Sequence, residues 1–74
     1  MTIDTRGLNH SDSMQLVHSL LLARRMDGST IKILVELNEK KEFMRHVFEI
    51  LTASRAVIED TGDYAVIRIG THLI

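Results

Sequence analysis

Asp4-Thr5-Arg6-Gly7-Leu8-Asn9-His10-Ser11-Asp12-Ser13 is the stretch where the chain changes its repeat. Up to it, residues 2–6 alternate, with Ile3 and Thr5 set against Asp4 and Arg6, which is the period of a short strand. Gly7 breaks the run. Beyond it, Met14, Val17, Leu20 and Leu21, with Leu16 beside them, follow helical spacing. Ser11 or Ser13 is a suitable N-cap, and Asp12 in the first turn is favoured by the helix dipole. The spacing predicts a helix over about residues 11–26, with Arg24 and Arg25 in its last turn and Gly28 as its terminator. A strand that enters a helix through a glycine turn opens a β-α unit.

The rest of the chain completes that unit. Residues 30–37 alternate again, with Ile31, Ile33 and Val35 on one face and Lys32, Leu34 and Glu36 on the other. Asn38 is the next N-cap candidate. Phe43, Val47, Ile50 and Leu51 form a second apolar stripe, with Met44 and Phe48 on its flank, predicting a helix over about residues 39–52. Residues 55–59 and 64–69 are β-rich, and Asp60-Thr61-Gly62-Asp63 between them reads as a turn. The order is β-α-β-α-β-β. The first two strands are parallel and need a right-handed crossover, which the first helix supplies. The expected fold class is α/β in the broad sense, an α+β two-layer sandwich. Two helices lie on one face of a four-stranded mixed sheet. Val17, Leu20, Leu21, Ile33, Val47, Leu51 and Ile67 are its expected core.

The opening motif resembles the TusA/SirA-like sulfur-carrier family, whose pattern is Asp-x-Arg-Gly-Leu-x-Cys-Pro-x-Pro. Asp4, Arg6, Gly7 and Leu8 match it. The family cysteine falls on His10 and the two prolines on Ser11 and Ser13. The resemblance spans about residues 3–69 and implies the same order of elements. It implies a carrier that takes a persulfide from a cysteine desulfurase and passes it to an acceptor protein. It further implies a family glycine after the second helix, where this chain has Thr52-Ala53-Ser54, and an acidic pair after the second strand, where it has Glu36-Leu37-Asn38-Glu39.

The departure at His10 governs the chemistry. A sulfur carrier needs a thiolate nucleophile, and this chain has no cysteine. The expectation is a non-enzymatic, regulatory or interaction module related to sulfur transfer, with a protein partner of a sulfur-relay system. Its binding residues would be Arg6, Gly7, Asn9, His10, Ser11, Asp12 and Ser13. A free helix N-terminus there would hold an anion. His10 then reads as a solvated loop residue that stands where the cysteine stood. One alternative keeps the carrier active, with His10 as the acceptor group. Another is a weak RNA-binding module using Arg24, Arg25, Lys40, Lys41 and Arg45. Acidic neighbours and the lack of an aromatic stacking platform speak against RNA.

Composition narrows the rest. Seventy-four residues make one domain, residues 1–74, and the absence of cysteine excludes disulfides. Hydrophobic residues are 45 % but aromatics only 4 %, so the core is aliphatic. A net charge of −1 gives no electrostatic footprint for nucleic acid. Leu20-Leu21-Leu22-Ala23 is too short to span a bilayer, and Met1-Thr2-Ile3-Asp4 has no signal-peptide character, so a cytoplasmic location is expected. His10, Asp12 and His18 have ligand chemistry, but the histidines do not fall on adjacent helical turns, and no metal or cofactor is expected. Ser11, Ser13 and Ser19 with Asp4 and Asp12 offer triad residue types without the converging geometry a hydrolase needs.

Overall fold

The structure is a computed structural model that describes residues 1–24 and 31–70. Its elements are β1 (Thr2–Asp4), α1 (His10–Arg24), β2 (Lys32–Val35), α2 (Glu39–Thr52), β3 (Ala56–Asp60) and β4 (Ala65–Ile69). This is the β-α-β-α-β-β order expected from the sequence. The end expected for the first helix, at residue 26, lies outside the described residues. No helix among them is long and apolar enough to cross a membrane.

The sheet order is β1-β2-β4-β3. β1 runs parallel to β2, with Ile3 opposite Ile33. β4 is antiparallel to both its neighbours: Ile67 faces Ile33 on one side and Ile58 on the other. The period-two pattern sorts the faces. Ile31, Ile33, Val35, Ala65 and Ile67 are all buried under the helices. Lys32, Leu34, Val66 and Arg68 alternate the other way, toward the uncovered face, where each is more exposed. That face is not a continuous apolar patch. Leu34 and Val66 pair across it, but Asp4 and Glu59 flank them in the same row, and Lys32, Arg68 and Val57 fill the next.

The core is aliphatic around one aromatic. Phe48 and Met44 pack with Val17, Ile31, Ile33, Val35 and Ile67, all essentially inaccessible. Leu20, Leu21 and Leu51 are only partly buried at its edge. Met14 and Ile50, expected on the apolar stripes, are 39 % and 66 % exposed. Both helices are therefore rotated from the orientation the apolar spacing implies. α1 turns Ser13 rather than Met14 inward, and α2 turns Lys40, Met44 and Phe48 inward rather than Ile50.

Helix ends follow local chemistry. Asn38 caps α2, its Oδ1 accepting the Lys40 N–H at 2.8 Å. Glu39 and Glu42 lie in the first turn, where the dipole favours them. α2 ends on Ala53 in the left-handed conformation at φ 54°. The β3–β4 turn is closed by Thr61, whose N–H and hydroxyl both donate to the Tyr64 carbonyl, and by the Gly62 N–H on the Asp60 carboxylate.

Candidate functional site: the β1–α1 loop

The loop between β1 and α1 carries the residues singled out in the sequence, and four separate groups fix it. Thr5 ends β1: both its N–H and its Oγ1 donate to the Leu34 carbonyl, at 2.9 and 2.6 Å. Its hydroxyl is buried and satisfied. The chain then turns back, with the Leu8 N–H reaching the Thr5 carbonyl at 3.2 Å. Gly7 sits at the corner with φ 86°, a conformation that favours a residue without Cβ.

The second group is Glu36, just past β2. Its Oε2 accepts the Gly7 N–H at 2.6 Å. Its Oε1 lies 2.7 Å from the Lys40 ammonium, off the hydrogen-bonding direction, so that contact is an ion pair. The Gly7 N–H first, and the close contact with the Lys40 side chain second, hold this carboxyl down at about 2.

The third group is Lys40 itself, in the first turn of α2. Only 4 % of its side chain is accessible. Its Nζ donates to the Thr5 carbonyl and to the Leu8 carbonyl, each at 2.7 Å. The sequence groups Lys40 with the basic residues of an RNA-binding alternative; the structure buries it. A lysine stem that runs inward and a head that finds acceptors leave no trace in apolar periodicity.

The fourth group orders the exposed side of the loop. Arg6 makes two hydrogen bonds to the Asp4 carboxylate, both at 2.9 Å, while its own N–H binds the same group at 3.0 Å. The guanidinium lies 4.7 Å from the centre of the Tyr64 ring, in cation–π contact. The Arg6 side chain, more than any other group, holds the Asp4 carboxyl at about 2.

α1 then begins one residue earlier than expected, and its cap is Asn9, not Ser11 or Ser13. Asn9 Oδ1 accepts the Asp12 N–H at 2.7 Å and the Asn9 carbonyl accepts the Ser13 N–H at 2.9 Å. The cap thus takes the Asp12 N–H, one of the donors at the helix start that were expected to be free for an anion. Asparagine is among the favoured cap residues, and its position just before His10 is the signal in the sequence for this helix start.

His10 is the first helical residue and is half-buried. Its ring packs on Phe43 of α2, with centroids 4.7 Å apart and planes tilted by 55°. It is not the solvated loop residue expected. Among the described residues no hydrogen bond or ion pair to an acid or base orients its imidazole. Arg6, Gly7, Asn9, Ser11 and Asp12 are exposed and share one surface, whereas Ser13 is fully buried and faces away from it. Of the basic residues named for RNA, Lys40 is internal, and Arg45 is paired to Glu42 at 2.8 Å and to Glu49 at 3.4 Å. The Arg24 side chain and Arg25 lie outside the described residues.

The described residues contain no cluster of three side chains able to hold a metal. Two concavities among the described residues lie away from this loop. One is an open cleft lined by Arg45, Glu49, Arg55 and Val57, and the other a shallow groove lined by Met14, His18, Ile50 and Leu51 between the helices. The loop presents a charged surface held by hydrogen bonds, suited to contact with another macromolecule. Comparison with known proteins finds no matching family, no matching curated protein and no matching solved structure.

Proposed function

We propose that this chain is a TusA/SirA-like module of the cytoplasm that has given up sulfur carriage and acts by docking a protein of a sulfur-relay system through its β1–α1 loop. The observation that carries the proposal is the loop itself. Arg6, Asn9, Ser11 and Asp12 are presented outward from a backbone tethered to β2, to α2 and to its own strand. A surface ordered before contact loses little freedom on binding, which is the energetic advantage of a docking epitope. The match at Asp4, Arg6, Gly7 and Leu8 and the order of elements support the kinship. His10 at the cysteine position, packed on Phe43 and without an orienting acid or base, supports the loss of chemistry.

Two measurements on one sample test this. The chain is treated with a cysteine desulfurase and cysteine, then weighed intact. No mass increase of sulfur size is expected, because no thiol is present. A stable adduct on the protein would make His10, or another side chain, an acceptor. The same desulfurase is then titrated into labelled chain. Amide shift changes are expected to cluster at residues 6–12. Changes confined to the outer face of α2, around Lys41 and Arg45, would contradict the docking loop and favour an electrostatic, RNA-like surface.

A further inference from the structure

A lysine ammonium carries three protons, and burial demands a partner for each side of it. Lys40 meets that demand with the backbone of one turn. Its two hydrogen bonds go to the carbonyls of Thr5 and Leu8, the first and last residues of that turn. Its counter-ion, Glu36, takes the N–H of Gly7 from between them. The carbonyls of Thr5 and Leu8 and the N–H of Gly7 therefore converge on this one ion pair, while the Thr5 N–H and hydroxyl hold the strand end on the Leu34 carbonyl.

Past Thr5, whose buried side chain is anchored on the Leu34 carbonyl, packing does little to hold the same turn. Gly7 has no side chain, Leu8 is half-exposed, and Arg6 lies outward over Tyr64. Beyond Thr5, the charged pair rather than apolar contact holds the backbone of Gly7 and Leu8. The pair comes from elsewhere in the fold: Glu36 follows β2 and Lys40 opens α2, with the Asn38 cap between them.

We propose that Lys40 and Glu36 form a latch, in which the lysine ammonium is the built-in cation around which residues 5–8 fold. Lys40 and Glu36 are positioning residues. They set the shape of the loop without touching what the loop binds. The first turn of α2 thereby controls the loop, and a change at Glu36 or Lys40 converts it between an ordered and a loosened state. The consequence for docking rests on the loop being the docking surface proposed above, whereas the latch itself is measured on the isolated chain.

The test is amide hydrogen exchange in Lys40→Ala. The amides of Gly7 and Leu8 are expected to exchange faster by about tenfold or more, while those of Ile33 and Ile67 in the sheet change by less than about threefold. Propylammonium, which restores the stem and the charge that alanine lacks, should return the protection. Propanol, which fills the same space without charge, should not. Glu36→Gln is measured alongside, because it keeps an acceptor for Gly7, removes only the charge, and retains the buried lysine if Lys40→Ala does not fold. Loop exchange is expected to rise about threefold in that variant, with the sheet unchanged. Unchanged loop amides in both variants overturn the latch. So does equal loss of protection in loop and sheet, or rescue by propanol as good as by propylammonium. If the variants loosen the loop but the desulfurase perturbs another surface, the latch stands and the docking assignment fails. An unaltered loop in variants that still dock through residues 6–12 is the opposite result.

Discussion

Ser13 shows how a single residue can be of the right type and in the wrong place. Serine near a helix start reads as a cap, yet Asn9 holds that position and Ser13 is turned into the core with no accessible surface. Its hydroxyl has no hydrogen-bond partner among the described residues. A buried hydroxyl left unpaired costs about 1–3 kcal/mol. Ser13→Ala is therefore expected to stabilise the chain by about 1 kcal/mol, seen as a higher urea midpoint at unchanged slope. A lower midpoint would mean that the hydroxyl has a partner. The other residue-scale surprises share a cause. His10 meets Phe43, and Lys40 meets Thr5 and Leu8, across separations that no local spacing encodes. Arg6 beside Asp4 was nearer to legible, since the two lie on one side of a strand end.

At the scale of elements, α2 is the most legible part of the chain. Its expected bounds, residues 39–52, coincide with the observed helix, because Asn38 and the apolar repeat both mark it. Its rotation was not legible. Phe43, Met44, Val47, Phe48, Ile50 and Leu51 make a stripe wide enough to be buried in more than one orientation. Lys40, reaching for the loop, fits the one that hides Met44 and Phe48 and exposes Ile50. The helix ends on Ala53 at φ 54°, a conformation in which a Cβ is a burden. Ala53→Gly is expected to stabilise by about 0.5–1 kcal/mol in thermal or urea unfolding. An unchanged or lower midpoint would show that the left-handed residue carries no strain here. The glycine that the resembled family has after its second helix fits the same need.

At the scale of the whole molecule, the two-layer plan was legible because period two and period 3.6 alternate cleanly along the chain. The order of strands in the sheet was not, since alternation says which face a strand buries and not which neighbour it takes. The joint between loop, sheet and helix gives the molecule an acid-sensitive point. Glu36 and Asp4 both titrate at about 2 in the fold, below their ordinary 4.5 and 3.8. A lowered carboxyl pKa stabilises the fold fully above the ordinary value, and that contribution is lost as pH falls toward the folded one. Asp4 and Arg6 are open to solvent, which weakens their share, so Glu36 dominates. The urea midpoint is expected to fall between pH 4.5 and 2, and to fall less steeply in Glu36→Gln. Parallel profiles for the two proteins would remove Glu36 from the acid response. The sheet order has its own consequence for how the chain reaches this state. β4 comes last of the four strands in sequence and yet lies inside the sheet, between β2 and β3. Within the sheet β3 meets the parallel pair only through β4, so residues 65–69 alone join the local hairpin to the first half of the sheet, and the pairing they make with β2 is the long-range contact that slows folding.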